Sequence, residues 1–275
     1  MTCVNIAAPA QIKYFEDVDT RTLQLVLQYD GARFAGWQRQ PDARTVQGVL
    51  EDAMERLCGV HVAVLGAGRT DAGVHALGQA AGVKVPLKWT HSDLKRALNA
   101  VLPSDVHVRD AIEMRAEFHA RFDAIARSYR YLVGTDEDAE SPFRVGRELA
   151  WRRPLDRSLL DRSAALFTGD KSFRGFAVKG TAPETDDHHC IVARSEWVER
   201  DDGYAYVVTA NRFLHHMVRF LVGTMLDVAS GRRGLSIIQD LLNNGDNQLA
   251  SAPAAAHGLY LERVEYPQEL YTVSA

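Results

Sequence analysis

Apolar Leu23, Leu25, Leu27 and Tyr29 alternate with Gln24, Val26 and Gln28, which predicts a half-buried strand closed by the turn Asp30-Gly31. The period then changes. Val46, Val49, Leu50, Ala53 and Leu57 share one helical face, and Thr45 is placed to cap a helix reaching about Cys58. Strands are predicted at Val60–Leu65 and Gln79–Val85, and a helix capped by Ser92 runs to about Asn99, short of Pro103. Val106 and Val108 mark another strand, as do Tyr129, Tyr131 and Val133, which alternate with Arg130 and Leu132. Asp156 starts a helix carrying Leu159, Leu160, Ala164 and Phe167, stopped by Gly169. Strands follow at about 190–199 and 204–211, then a long helix at about 213–230, a short one at 236–243, and a last strand through Leu259, Leu261 and Val264. Residues 1–20 read as a weakly ordered leader, 135–155 as a polar connection, and Ala252-Pro253-Ala254-Ala255-Ala256 as a loop.

Strands and helices do not alternate strictly, so a doubly wound parallel sheet is disfavoured and an α+β fold with a mixed or antiparallel sheet is expected. A boundary near residues 113–120 divides the chain into halves 21–116 and 117–268, followed by a tail 269–275. With 275 residues, 46% hydrophobic and 25% charged, the chain has the composition of a globular protein. Lys and Arg number 32 against 36 Asp and Glu, a net charge of −4 that excludes a uniformly basic nucleic-acid binder but not a locally basic cleft. Cys3, Cys58 and Cys190 form no CxxC pair, which suggests reduced thiols in a cytosol. No apolar stretch reaches the length of a membrane span, and the acidic first twenty residues do not resemble a secretion signal.

The segment richest in chemistry is Gly66-Ala67-Gly68-Arg69-Thr70-Asp71-Ala72-Gly73-Val74-His75. Glycines let a ligand approach the backbone, and loops on a rigid sheet often carry reactive side chains. By itself the segment reads either as such a loop or as a turn in which Asp71 bonds to nearby backbone. The dinucleotide fingerprint fails because Asp71 stands where its third glycine belongs, and no phosphate loop of the GxxxxGK[ST] type occurs. In the helix predicted from Phe213, residues Arg212, His215, His216, Arg219 and Gly223 fall within an arc of about 100°, a cationic stripe or a solvated face. Adjacent His215 and His216 would diverge by about 100° on that helix, and HExxH is absent, so no metal role is assigned to them. His188-His189-Cys190 likewise lacks further spaced ligands. Arg127-Ser128-Tyr129-Arg130-Tyr131, Gly36-Trp37-Gln38-Arg39-Gln40 and Phe118-His119-Ala120-Arg121-Phe122 mix aromatics with arginines, a combination that stacks bases and holds phosphates but also fills ordinary cores.

Taken together, these segments resemble the tRNA pseudouridine synthase A family. The likeness rests on Tyr29-Asp30-Gly31, Phe34-Ala35-Gly36-Trp37-Gln38-Arg39-Gln40, Gly68 through His75, Phe118 through Phe122, Tyr129-Arg130-Tyr131, Phe213-Leu214-His215-His216-Met217-Val218-Arg219 and Gly258-Leu259-Tyr260-Leu261, in family order across roughly residues 22–267. The resemblance implies a pseudouridine synthase fold: a mixed, mainly antiparallel sheet in two related halves with helices packed on it and a central cleft. It implies a cofactor-free isomerase that converts uridines 38, 39 and 40 of the tRNA anticodon stem-loop to pseudouridine, acting as a cytoplasmic homodimer. Asp71 is then the catalytic aspartate, Arg219 the arginine set against it, and Tyr129 the tyrosine that stacks on or orients the target base. Arg69, Arg39, Gln38, Trp37, His75, Arg121, His215 and His216 are expected at the substrate, with Arg33 and Arg115 as further contacts to the RNA backbone.

One departure is Pro183-Glu184-Thr185-Asp186-Asp187-His188-His189-Cys190, acidic where the family often carries arginine. Three other functions share some of these features. A related synthase acting on another tRNA position or another RNA would differ only in its modification map. An RNA-binding or folding protein without turnover need not retain Asp71, Arg219 and Tyr129 together. A carbohydrate hydrolase would require a second acid beside Asp71.

Overall fold

The structure, a computed structural model, describes residues 19–181 and 185–272. Residues 1–18 of the expected leader, residues 182–184 of the acidic loop and residues 273–275 of the expected tail lie outside the described residues.

Ten strands form one mixed sheet. They are β1 (Thr20–Tyr29), β2 (Leu65–Gly66), β3 (His75–Pro86), β4 (Val106–Met114), β5 (Ala126–Gly134), β6 (Leu149–Ala150), β7 (Gly169–Ser172), β8 (His189–Arg200), β9 (Gly203–Ala210) and β10 (Leu259–Glu265). The helices are α1 (Val46–Cys58), α2 (His91–Val101), α3 (Arg157–Ala165), α4 (Met217–Ala229) and α5 (Ser236–Asn244). The main strand order is β4-β1-β3-β10-β5-β9-β8-β7, and only the β10–β3 and β5–β6 pairs are parallel. This is the expected α+β class with a mainly antiparallel sheet. β10, the last strand in the chain, lies at the centre of the order and joins the strands of the first 114 residues to those that follow. Hydrophobic side chains from both sides of it belong to one continuous core.

Several elements differ from the periodicity. The stretch 60–65 pairs only through Leu65–Gly66. Val62 and Val64 are buried, but the Val64 backbone is satisfied by α1 side chains: Glu51 Oε1 accepts from its N–H at 3.4 Å, and Gln47 Nε2 donates to its carbonyl at 3.2 Å. Alternating burial was therefore met without a ladder. The strand expected at 79–85 extends over 75–86. α2 is capped by Thr90, whose Oγ1 accepts from the Asp93 N–H at 3.1 Å, so Ser92 lies inside the first turn. The helix expected from 213 begins at Met217, because His216 takes the left-handed conformation at φ 60°. The polar connection 135–155 contains β6 and an ion-pair network in which Arg144 meets Asp136, Glu148 and Asp202, while Arg200 meets Glu148 and Asp202.

Candidate active site

The loop between β2 and β3 carries Asp71, and buried neighbours fix its backbone. The Trp37 N–H donates to the Thr70 carbonyl at 3.0 Å, and the Gly73 N–H donates to that of Phe34 at 3.3 Å. The Tyr29 hydroxyl and Thr70 Oγ1 are 2.8 Å apart, and Gln79 Nε2 donates to the Gly68 carbonyl at 3.0 Å. Burial pushes the Tyr29 hydroxyl up to about 12, so it stays a neutral donor or acceptor at physiological pH. Arg127 closes the other side. Its guanidinium donates to the carbonyls of Ala67, Arg121, Ala124 and Asn211 at 3.0, 2.8, 2.9 and 2.7 Å. A loop held this way keeps a single carboxylate orientation, the preorganisation that electrostatic catalysis requires.

Across the cleft, the first turn of α4 presents Arg219. Its Nη1 donates to Asp71 Oδ2 at 3.1 Å, and its Nε donates to the Ala254 carbonyl at 2.7 Å. The Ala254 N–H returns a bond to the Arg219 carbonyl at 2.9 Å. The run Ala252–Ala256 is thus a strap that sets the arginine's angle. Gly223, one turn along α4, lets it approach, since a Cβ there would stand 2.2 Å from the Ala252 carbonyl oxygen. The side chains of Asp71 and Arg219 are 21% and 15% exposed, so the pair borders the cleft without being sealed from a ligand. His216 Nε2 lies 3.3 Å from Asp71 Oδ2 and His215 Nε2 lies 3.7 Å from Oδ1. Burial pushes the His216 imidazole below the ordinary histidine range. The Asp71 carboxylate opposes that shift, and Arg219 and His215 add to it.

Tyr129, 9% exposed, comes near the same residues through strand pairing. On β10, Leu261 is the partner of Tyr129 on β5 and of Ala76 on β3, so two strand spacings, about 10 Å, separate Tyr129 from the strand that follows Asp71. Its ring stands edge-on to Phe213, with centroids 5.0 Å apart. Burial holds its hydroxyl well above the usual tyrosine range, and the charges of Tyr29 and Asp71 add to the effect, so it remains protonated.

The structure therefore brings Asp71, Arg219, Tyr129, His215 and His216 together. Arg69 is exposed beside Asp71 and makes no ion pair among the described residues, and Gln38 and Arg121 are also exposed. Two expected substrate residues have other roles. Trp37 is 3% exposed, and its indole occupies the space a Cβ on Gly66 would need, 2.5 Å away, so it supports the loop from beneath. His75 is 3% exposed, stacks on Tyr260 at 4.7 Å, accepts from the Gly31 N–H through Nδ1 at 3.0 Å and lies 3.0 Å from the Gly146 carbonyl through Nε2. With both nitrogens engaged, it fastens the end of β3. Arg39 is paired with Glu51 and Asp52 at 3.0 and 3.2 Å. Arg212 belongs to no stripe with Arg219, because the backbone turns at His216 and Arg212 pairs with Asp186. In the described part of the acidic loop, Asp186 is paired with Arg212 and held below the usual carboxylate range by it, and Asp187 accepts from the His189 N–H at 2.9 Å.

Sequence reasoning missed Arg127 and the Ala252–Ala256 strap. Arg127 had a weak signal, a charged residue on a strand face otherwise occupied by Tyr129 and Tyr131. The strap had none, because small residues in a loop look alike whether or not they hold an arginine.

The chain matches the model of a protein family described as tRNA pseudouridine synthase over residues 25–123 and 163–267. It is 36% identical over 251 residues to a protein of Porphyromonas gingivalis named tRNA pseudouridine synthase A, covering 90% of this chain and 98% of that relative. Proteins with the same name from Chloroflexus aurantiacus and Solidesulfovibrio magneticus are each 41% identical, over 255 and 261 residues, covering 91% and 89% of this chain and 90% of each relative.

Proposed function

Because the chain belongs to the tRNA pseudouridine synthase family, we propose that it isomerises uridine to pseudouridine in tRNA with Asp71 as the catalytic carboxylate. The single observation that carries this reading is the Arg219–Asp71 contact at 3.1 Å, a charge-assisted bond between residues 148 positions apart at the mouth of a cleft.

The reaction breaks the bond from ribose C1′ to N1 of uracil and joins C1′ to C5. The C5 proton is lost and N1 gains one, so no water is consumed and no second acid is needed for hydrolysis. A stacked base cannot rotate between these bonds, so the nucleotide must leave the helix at a cost of a few kcal/mol. A carboxylate serves such a reaction as a nucleophile or by stabilising positive charge on the sugar, as in glycosidases. Arg219 sets a positive charge beside Asp71 and fixes one of its oxygens. Tyr129, neutral and aromatic, orients the everted uracil. Arg69, exposed, without an ion-pair partner among the described residues and adjacent to the carboxylate, suits a backbone phosphate. His215 and His216 wall the site beside Asp71, and Arg121 and Gln38 lie on exposed surface available to RNA.

The proposal extends to uridines 38, 39 and 40 of the anticodon stem-loop, to a homodimer that holds one tRNA across both subunits, and to a cytoplasmic location. Among the described residues no helix is long and apolar enough to cross a membrane. The test is carbodiimide primer-extension mapping of tRNA transcripts after incubation with the wild-type enzyme and with Asp71→Ala. New stops at 38–40 with wild type and none with the variant are expected. Stops at another position would redirect the substrate assignment, and stops with the variant would overturn the role of Asp71.

A further inference from the structure

The sequence argued against metal binding at His215-His216 on one ground above all, that neighbours on a helix point about 100° apart. That ground does not survive in the structure. α4 begins at Met217, and His216 holds φ 60°, one of two non-glycine residues with positive φ among the described residues. A non-glycine residue kept in this region is a sparsely populated conformation that tends to persist where surrounding structure demands it. Here it folds the two imidazoles to 4.1 Å between centroids and turns both toward Asp71.

We propose that Asp71, His215 and His216 bind a borderline-soft divalent cation of the zinc class, and that a bound cation blocks the site. One donor atom from each residue lies within 4.8 Å of the others, with His216 Nε2 and His215 Nε2 at 3.3 and 3.7 Å from the carboxylate oxygens. Tetrahedral zinc with bonds of about 2.0–2.1 Å needs donors about 3.3 Å apart, so small side-chain shifts suffice. Two imidazoles and a carboxylate with an open fourth position form a recognised zinc ligand set. Neither imidazole donates or accepts a hydrogen bond among the described residues, which leaves their lone pairs available. His215 is 45% exposed, so the cation has an entry path. Arg219 holds Oδ2, the oxygen His216 approaches, and leaves Oδ1, the oxygen nearer His215, for the metal, so His216 must turn from Oδ2 toward the shared cation. Its positive charge also opposes the cation. That favours reversible inhibition over a resident metal.

Binding is a claim about geometry alone, whereas blocking rests on the catalytic role given to Asp71. The full-length chain is dialysed against Zn²⁺ and titrated with Co²⁺ while visible absorption is recorded. The same is done for His215→Gln, His216→Gln and Asp71→Asn, each checked for a wild-type thermal transition, with Asp71→Glu as a variant that keeps a carboxylate. One equivalent bound by wild type is expected, with the intense bands of tetrahedral Co²⁺, and affinity about tenfold or more weaker in the two histidine variants. No stoichiometric binding, or binding unchanged in both histidine variants, overturns the proposal. In parallel, Zn²⁺ should suppress pseudouridine formation over the concentration range in which it binds, and saturating tRNA should exclude it. Metal bound at these residues without loss of turnover would overturn the blocking claim and count against Asp71. Absence of binding, with turnover still abolished by Asp71→Asn, would remove this inference and leave the catalytic assignment standing.

Discussion

Arg219 makes two contacts that no other side chain reproduces. Its planar fork donates to Asp71 through Nη1 and to the Ala254 carbonyl through Nε. A lysine supplies the charge but not both bonds at those angles. Arg219→Lys should therefore lower single-turnover kcat by about 10²-fold with tRNA affinity little changed, the scale for one lost transition-state donor. An equal loss in binding and none in kcat would show that the arginine serves the RNA rather than the carboxylate. At this scale Asp71, Arg219 and Tyr129 stood out in the sequence through the residues around them, and the structure sets Arg219 against Asp71 and Tyr129 two strands from the strand that follows it. Trp37 and His75, expected at the substrate, are buried, because a residue that supports a loop and one that touches its ligand occupy the same stretch of sequence. Burial separates the two, and burial of a single aromatic is not periodic.

At the level of elements, most strands and helices were visible as changes of period, and the errors share a cause. Val62 and Val64 alternate like a strand, but α1 side chains satisfy the backbone instead. Phe213 and Leu214 continue the apolar pattern of α4, but the left-handed residue His216 stops the helix short of them. Hydrophobic spacing reports which side chains are buried, not which partner closes each backbone hydrogen bond. The α4 strap gives a direct test. In Gly223→Ala the helix gains up to about 1 kcal/mol in propensity, while overpacking against backbone costs about 1–3 kcal/mol. Turnover should fall because the strap and Arg219 move together, and the thermal midpoint should drop modestly. A stabilised variant with full turnover would contradict the strap's role. The end of β3 gives a second test. Burial pushes the His75 imidazole below its ordinary value, Asp30 at 3.2 Å opposes that, and Arg147 adds to it. His257 is also lowered, by burial and by His75. Such groups favour the native state fully above about pH 6.5, and the unfolded chain takes up protons more readily below it. The urea midpoint should accordingly decline from neutral pH toward about pH 5, and the decline should be smaller in His75→Gln. An identical pH slope in that variant would show that His75 is not the titrating group.

For the whole molecule, β10 closes the sheet between β3 and β5, and this closure sets the carboxylate on the β2–β3 loop against the arginine of α4. The sequence revealed the class of fold but not this order, because a strand's neighbours depend on contacts far apart in the chain. Its net charge of −4 also gave no sign that many arginines are paired internally while Arg69 and Arg121 stay exposed. tRNA affinity should fall linearly on a plot of log K against log salt, and Arg69→Gln should reduce the slope by about one. An unchanged slope would remove Arg69 from the phosphate contacts. The account as a whole depends on the Asp71 carboxylate set against Arg219. The most direct measurement is single-turnover pseudouridine formation by Asp71→Asn under saturating enzyme, alongside tRNA binding by the same preparation. The account predicts a rate reduced by about 10³-fold or more with affinity kept within about threefold of wild type. Pseudouridine formed at an appreciable fraction of the wild-type rate would contradict it.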